Sequence, residues 1–469
     1  MDRLTLISAD GHWGGPPALY RDYIAPQYRD ELDALTAEDV AWREGSLTQR
    51  RFSAETLDLI DADGRIRNGG ERGAWELGPR LAELDHEGVA GEVLLAGHQE
   101  SVLPFFSHVN RAHSPELRSA GAKAYHRHLS DVMAESGGRL FGIAEPGPCL
   151  DMNETLAELR WVAEHGFVGV FAPGNIADPT LPDLGDPYFD AFWATCDEAG
   201  LAINVHAGFG FPQGGFSNEG LSMMASMVKD FGTDAVLAQS TLSTPDTSEI
   251  RIDQFPAEHP FRVALTAPRR ILWQLMLAGV FDRHPELHLV FTEIRADWVP
   301  ATIAILEDHL TRSGVKMSRS PREYFADNVY IAPSSTRRHE VALRHEIGVD
   351  RLMFGTDYPH PEGTWPNTQQ WIRDAFEGVT EAELRRILGE NAAECYRLPM
   401  GPLREAAARI GPTAAELLGA PAVDPRMAAQ FHSRAGYLRP PEQADAAALT
   451  EMIDTDLAAL AGSRPKGNL

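Results

Sequence analysis

Cysteine is scarce in this chain. There are three in 469 residues, Cys149, Cys196 and Cys395, far apart and with no CxxC pair among them. That pattern argues against a disulfide framework and fits a reducing compartment in which the thiols serve as packing residues. Basic residues are outnumbered, 42 against 68 acidic, for a net charge of −26. An excess of that sign argues against nucleic acid or an anionic membrane as a partner. Long apolar runs are missing too, none approaching the ~18 residues that a membrane span needs. The chain passes from Met1-Asp2-Arg3 into a strand with no charged stretch and apolar signal segment before it, so the expected location is cytoplasmic. Internal repeats and low-complexity tracts are also absent. What remains is an ordinary hydrophobic content of 43%, enough for a large globular core. Length alone suggests two or three domains, although a barrel can use about 250 residues or more as one.

Short apolar strands alternate with amphipathic helical stretches, the βα rhythm of a parallel sheet. Strands are expected at Leu4–Ala9, Gly91–Ala96, Leu140–Glu145, Val168–Ala172, Ala202–His206, His288–Glu293, Val329–Ala332 and Leu352–Asp357. Eight of them suggest an α/β fold of the closed (β/α)8 TIM-barrel type rather than an open sheet. Leu156, Leu159 and Val162 recur at helical spacing, as do Ile271, Leu272, Leu275 and Met276. Thr380 with Glu383 reads as a capping box opening the helix that carries Leu384, Ile387 and Leu388.

Three segments exceed a minimal barrel. Residues 13–78 and 207–268 are long insertions after strands one and five. Both follow strand C-termini, so both are expected over the catalytic face, with short helices of their own. Residues 401–469 form an alanine- and proline-rich extension whose Ala446–Ala461 stretch reads as helical. It could pack on the barrel or serve the interface of a homo-oligomer. The barrel itself is expected over residues 1–400.

Several apolar strands end in an ionisable residue, as expected of a parallel barrel with a metal at its C-terminal mouth. Asp10 and His12 are two residues apart on strand one and therefore share a face. Carboxylate and imidazole from one strand make a natural two-point metal anchor, although Asp-Gly is also a common turn dipeptide. His206 ends strand five before a small-residue turn. Asp357 lies in Phe354-Gly355-Thr356-Asp357-Tyr358-Pro359-His360, where it could bind a metal or take a proton from metal-bound water. His360 could orient Asp357, bind substrate or cap the turn. Glu293 ends strand six and supplies a further carboxylate, unless it pairs with nearby Arg295. His98 and Glu145 occupy two more strand ends and could complete a second metal site, or simply make the pocket polar.

Asp-x-His on strand one, histidine on strand five and Gly-Thr-Asp-Tyr-Pro-His on strand eight resemble the amidohydrolase superfamily. More narrowly, they resemble its amidohydrolase-related branch, which includes aminocarboxymuconate-semialdehyde and resorcylate decarboxylases. The resemblance runs from residue 1 to about 400. It implies a (β/α)8 barrel holding one or two divalent metals, with Asp10, His12, His206 and Asp357 as ligands. Two positions depart from the branch. Strand four ends Val170-Phe171-Ala172-Pro173, without the bridging lysine or glutamate of binuclear hydrolases, and strand six offers Glu293 where mononuclear decarboxylases carry histidine.

Two histidines with Asp10, Glu293 and Asp357 are rich in hard oxygen donors, which suit iron or manganese and leave zinc open. With the departures above, this favours a nonheme, diiron monooxygenase. More loosely, the chain is similar to the nonheme diiron monooxygenase known from diterpenoid antibiotic biosynthesis. Such an oxidoreductase would hydroxylate a bulky, apolar, terpenoid-like carboxylic acid or its thioester and would need an electron donor as partner. Trp13, Phe209, Phe211, Met223, Met224 and Met227 could wall its substrate, or fill the loop's own core. The alternative is a metal-dependent hydrolase or non-oxidative decarboxylase of a cyclic carboxylic acid, with Asp357 carrying the proton.

Overall fold

A computed structural model describes residues 3–45, 52–97, 104–107, 113–173, 180–207, 209, 267–434 and 444–463. Seven parallel strands lie in the sheet in chain order: β1 (Leu6–Trp13), β2 (Val89–Ala96), β3 (Leu140–Ala144), β4 (Phe167–Phe171), β5 (Ala202–His206), β6 (Leu289–Thr292) and β7 (Val329–Ala332). Nearly every strand residue is buried, as expected of a parallel sheet covered by helices on its outer face.

The eighth stave is irregular, yet it closes the ring. Leu352 bridges Ile331, Gly355 bridges Ser334 and Tyr358 bridges Gly11, all in parallel. The Met353 amide donates to the Ile331 carbonyl at 2.7 Å, and those of Ala9 and Asp357 donate to Phe354 and Asp10, each at 2.8 Å. The segment Leu352–Tyr358 therefore lies between β7 and β1, and the fold is a (β/α)8 barrel. One apolar cluster takes Ile7, Val93, Phe141, Phe171, Ala202, Val290, Tyr330 and Met353, one from each stave, which places it in the barrel interior.

Local sequence explains the helices between strands. Ser114 accepts from the Leu117 amide ahead of Pro115–Glu135, with proline in the first turn, and Asp151 caps Met152–Glu164 in the same way. The Thr380–Glu383 capping box is present and opens Glu381–Arg385, which runs on through a π-helical turn, Arg386–Glu390. Leu384, Ile387 and Leu388 are buried along it, as the sequence spacing requires.

The first insertion contains helices Arg29–Gly45 and Ala54–Ile60 and returns to the closing stave, where the Tyr358 hydroxyl donates to the Gly70 carbonyl at 2.5 Å. The second, 207–268, lies almost wholly outside the described residues, and with it Phe211, Met223, Met224 and Met227; Phe209 is buried. The terminal helix Ala444–Ser463 packs Leu449, Ile453 and Leu457 against the barrel's helices. It is pinned by Asp456, which accepts from Arg270 Nε at 2.9 Å and Trp273 Nε1 at 2.7 Å. Among the described residues no helix is long and apolar enough to cross a membrane.

Candidate metal centre

A bulge in β1 aims the Asp-x-His pair. Register with β2 shifts between Ser8 and Gly11. Ile7 and Ala9 join the interior apolar cluster below the shift, while Asp10 and His12 reach the polar mouth above it. Gly11 is required there: a Cβ would meet Glu92 Oε1 at 2.1 Å. Glu293 and Asp357, each just beyond its strand register, hold positive φ angles of 56° and 57°, a conformation that non-glycine residues rarely adopt.

The strand ends converge. His206 Nε2 lies 3.0 Å from Glu293 Oε2 and 3.9 Å from Asp10 Oδ1. His12 Nε2 lies 3.5 Å from Asp10 Oδ1 and 3.2 Å from Asp357 Oδ1. His360 stacks on His12 with ring centroids 3.9 Å apart, and its Nδ1 is 2.9 Å from Asp357 Oδ1. Donor atoms fall into two overlapping groups, Asp10–His12–His206–Glu293 and His12–Glu293–Asp357–His360, all within 4.8 Å of one another inside each group. Glu293 thus faces His206 rather than Arg295, which pairs with Asp297 (Nε to Oδ1, 3.1 Å).

Charge accumulates here at a cost. Burial is the largest influence on Asp10 and raises its carboxyl to about 6, with Glu293 adding to the rise and His206 opposing it. Burial and then repulsion from Glu293 and Asp10 push Asp357 well above the carboxylate range. Burial alone would lower His206, but Glu293 and Asp10 outweigh it and lift the imidazole to about 9. Burial likewise opposes charge on Glu293, yet His206 holds that carboxyl low. His360 is pushed down, chiefly by burial. Crowded carboxylates of this kind are relieved by a cation. Asp10 Oδ1 and both Asp357 oxygens are buried without a hydrogen-bond donor, so the residues fit a divalent metal of the oxygen- and imidazole-binding type.

One expected ligand, Glu145, is not part of this set. His98 lies outside the described residues. Glu145 is buried but belongs to neither donor group; its amide donates to His126 Nε2 at 3.0 Å, and after burial and Tyr20 it is the next influence raising Tyr125. It follows β3 by one residue, where the chain is tied to helix Pro115–Glu135. Sequence reasoning missed three supporting residues. Ser334 donates to Asp10 Oδ2. Arg80 donates to Glu92 Oε2 at 2.7 Å and to the His12 carbonyl at 2.7 Å, with both ionic side chains fully buried. Glu92 was detectable as a charged residue inside an otherwise apolar strand, and Ser334 as the first of three hydroxyls after β7.

A barrel with this donor set at its mouth is the architecture of metal-dependent amidohydrolases, and the chain belongs to that family: residues 60–398 match the family model described as Amidohydrolase. It is 26% identical over 289 residues to the gamma-resorcylate decarboxylase of Rhodococcus jostii (strain RHA1), covering 58% of this chain and 76% of that protein. Its fold is similar to that of an amidohydrolase from Mycobacterium avium subsp. paratuberculosis K-10, with a TM-score of 0.55, 18% identity, and coverage of 84% of this chain and 99% of the other. It is also similar to the dihydroxybenzoic acid decarboxylase of Polaromonas sp. JS666, solved with bound manganese and the inhibitor 2-nitroresorcinol. There the TM-score is 0.52, identity is 16%, and coverage is 85% and 98%.

These likenesses correct the reaction expected from the sequence. Relatives named as decarboxylases of aromatic acids overturn the monooxygenase reading, and with it the oxidoreductase class and the need for an electron donor. The physical reason is that a carboxylate-rich donor set does not by itself select redox chemistry. Within this set, Glu293 is engaged by His206, and Glu145 stands in neither donor group among the described residues.

Proposed function

We propose that this chain is a metal-dependent, non-oxidative decarboxylase of a hydroxylated aromatic carboxylic acid. The observation that carries the reading is the meeting of Asp10, His12, His206 and Asp357 from three staves, in two donor groups that share His12 and Glu293, on a barrel whose relatives are named as decarboxylases. In this reading the catalytic unit is residues 1–400 with 401–469 as an accessory extension, acting in the cytoplasm on a small-molecule substrate. Asp10, His12, His206 and Asp357 would hold one divalent ion, with Glu293 pairing His206. Manganese is favoured because the Polaromonas relative carries it.

Such an ion supplies Lewis-acid stabilisation of negative charge on the substrate's oxygens. Asp357 does the proton work. Its carboxyl is buried at the mouth with neither oxygen holding a hydrogen-bond donor, and in its protonated form it would act as general acid toward a substrate bound there. It donates that proton to the ring carbon bearing the carboxylate, and a ring π pair forms the new C–H bond. The C–C pair then returns to the ring as CO2 leaves, and solvent reprotonates Asp357. His360, its Nδ1 2.9 Å from Asp357 Oδ1 and its ring stacked on His12, packs beside the carboxyl.

The test is CO2 release from γ-resorcylate and related hydroxybenzoates by manganese-loaded protein, run in D2O. Deuterium at the vacated ring position supports the reading. Metal-loaded protein that releases no CO2 but hydrolyses amides or lactones would refute it in favour of a hydrolase.

A further inference from the structure

The turn Pro333-Ser334-Ser335-Thr336 leaves the barrel after β7, the one stave beside the seam that contributes no donor to the cluster. One of its side chains is nonetheless directed at the centre. Ser334, 1% exposed, donates its hydroxyl to Asp10 Oδ2. That bond occupies one carboxylate oxygen and leaves Oδ1, with no hydrogen-bond donor, facing His12 and His206. Ser335 donates to the Glu362 carbonyl at 2.7 Å and so ties down the turn that carries His360. Thr336 holds its own turn through the Pro333 carbonyl at 3.0 Å and, through its carbonyl, accepts from Trp371 Nε1 at 2.9 Å.

The approach of Ser334 to Asp10 depends on a glycine. At Gly355, a Cβ would meet Asp10 Cβ at 2.7 Å and would lie 3.5 Å from Ser334 Cα. Gly355 bridges Ser334 in the sheet, and the Ser335 amide donates to the Gly355 carbonyl at 3.2 Å. Backbone pairing therefore sets where the Ser334 hydroxyl sits, and the hydroxyl in turn fixes the Asp10 carboxylate.

We infer that Ser334 is a positioning residue for the metal centre: it fixes Asp10 as a one-oxygen ligand and thereby sets the affinity for a divalent cation. This rests on the metal-dependent reading above. Hydroxyls and carbonyls that orient a ligand typically govern metal affinity strongly, and their loss costs roughly 10- to 100-fold. A purely structural role would instead show in the stability of the metal-free protein.

The experiment is a manganese titration of metal-free wild type, Ser334→Ala and Ser334→Thr, followed by calorimetry and by the manganese-induced rise in Tm. Ser334→Ala is expected to bind manganese roughly 10- to 100-fold more weakly with little change in metal-free Tm. Ser334→Thr, which keeps the hydroxyl, should recover most of the affinity. Affinity within twofold of wild type for Ser334→Ala overturns the inference. If Ser334→Ala does not fold, Ser334→Cys, which keeps the volume with a much weaker donor, takes its place: binding roughly 10-fold weaker than in Ser334→Thr supports the inference, and affinity within twofold of wild type overturns it. Wild type that binds manganese but releases no CO2 refutes the assigned reaction alone, and the Ser334 comparison is then read unchanged.

Discussion

Replacing Arg80 by methionine isolates the buried charge pair beneath the metal centre. Arg80 and Glu92 are both fully buried, with Arg80 Nε and Nη2 each 2.7 Å from Glu92 Oε2. Arg80 Nη1 also serves the His12 carbonyl at 2.7 Å and the Gly73 carbonyl at 3.2 Å, and the guanidinium lies over the Tyr358 ring at 4.6 Å. Methionine keeps much of the packing volume but strands the Glu92 carboxylate, whose pKa burial already raises. Breaking a buried pair in this way costs about 3–5 kcal/mol. Removing both charges should cost far less, because an apolar pair of similar volume is often close to neutral. Urea unfolding of wild type, Arg80→Met, Glu92→Leu and the double variant measures the coupling. We expect each single variant to lose about 4 kcal/mol and the double variant to lose less than either. A double variant destabilised by the sum of the singles would refute the argument, since the two side chains would then be acting independently.

Three further outcomes are expected. Chelator dialysis should lower Tm and manganese should restore it, by about 2.7 kcal/mol of stability at 100 times Kd, whereas His206→Ala should show no response; a retained response in that variant would sink the ligand assignment. Burial pushes His128 from its usual 6.5 down to about 4, where it accepts from Trp13 Nε1 at 3.2 Å. Between those values the unfolded chain binds the extra proton, so about 3 kcal/mol is present above pH 6.5 and lost as pH falls toward 4; His128→Gln should flatten stability across that window, and an unchanged slope would refute it. Asp456→Ala leaves Arg270 and Trp273 without their acceptor and should cost about 2 kcal/mol, with faster proteolysis within Ala444–Ser463; unaltered cleavage would show that the apolar contacts suffice.

Much of the barrel was legible because buried parallel strands read as apolar runs. Ala202–His206 and Val329–Ala332 have the expected bounds, whereas β1 begins two residues late and extends through His12 to Trp13. The eighth stave was legible as a strand but pairs through isolated bridges at Leu352, Gly355 and Tyr358, with Asp357 at positive φ just before the last of them. Asp10, His12, His206, Glu293, Asp357 and His360 were legible because ionisable residues at the ends of apolar strands have few structural excuses. Ser334, although the first of three consecutive hydroxyls, and Arg80 carried no sign of what they hold. Each acts through a hydrogen bond to a residue more than 60 positions away, and local patterning carries no trace of that partner. The reaction was legible least, since a donor set constrains the ion more tightly than it constrains the chemistry.

The closing stave has a consequence for how the molecule holds together. Asp10 and His12 come from the first stave of the ring, Asp357 and His360 from the last, and beneath them Ser8 and Thr356 touch at 2.9 Å across 348 residues of chain. Contacts this remote are won late in folding, because the entropy of closing so long a loop must be met before they form. The donor cluster therefore exists only once the ring has shut. An ion taken up there would act as a clasp on the joint between the barrel's first and last staves, so hydrogen exchange in β1 and Leu352–Tyr358 would report its departure before the rest of the barrel did.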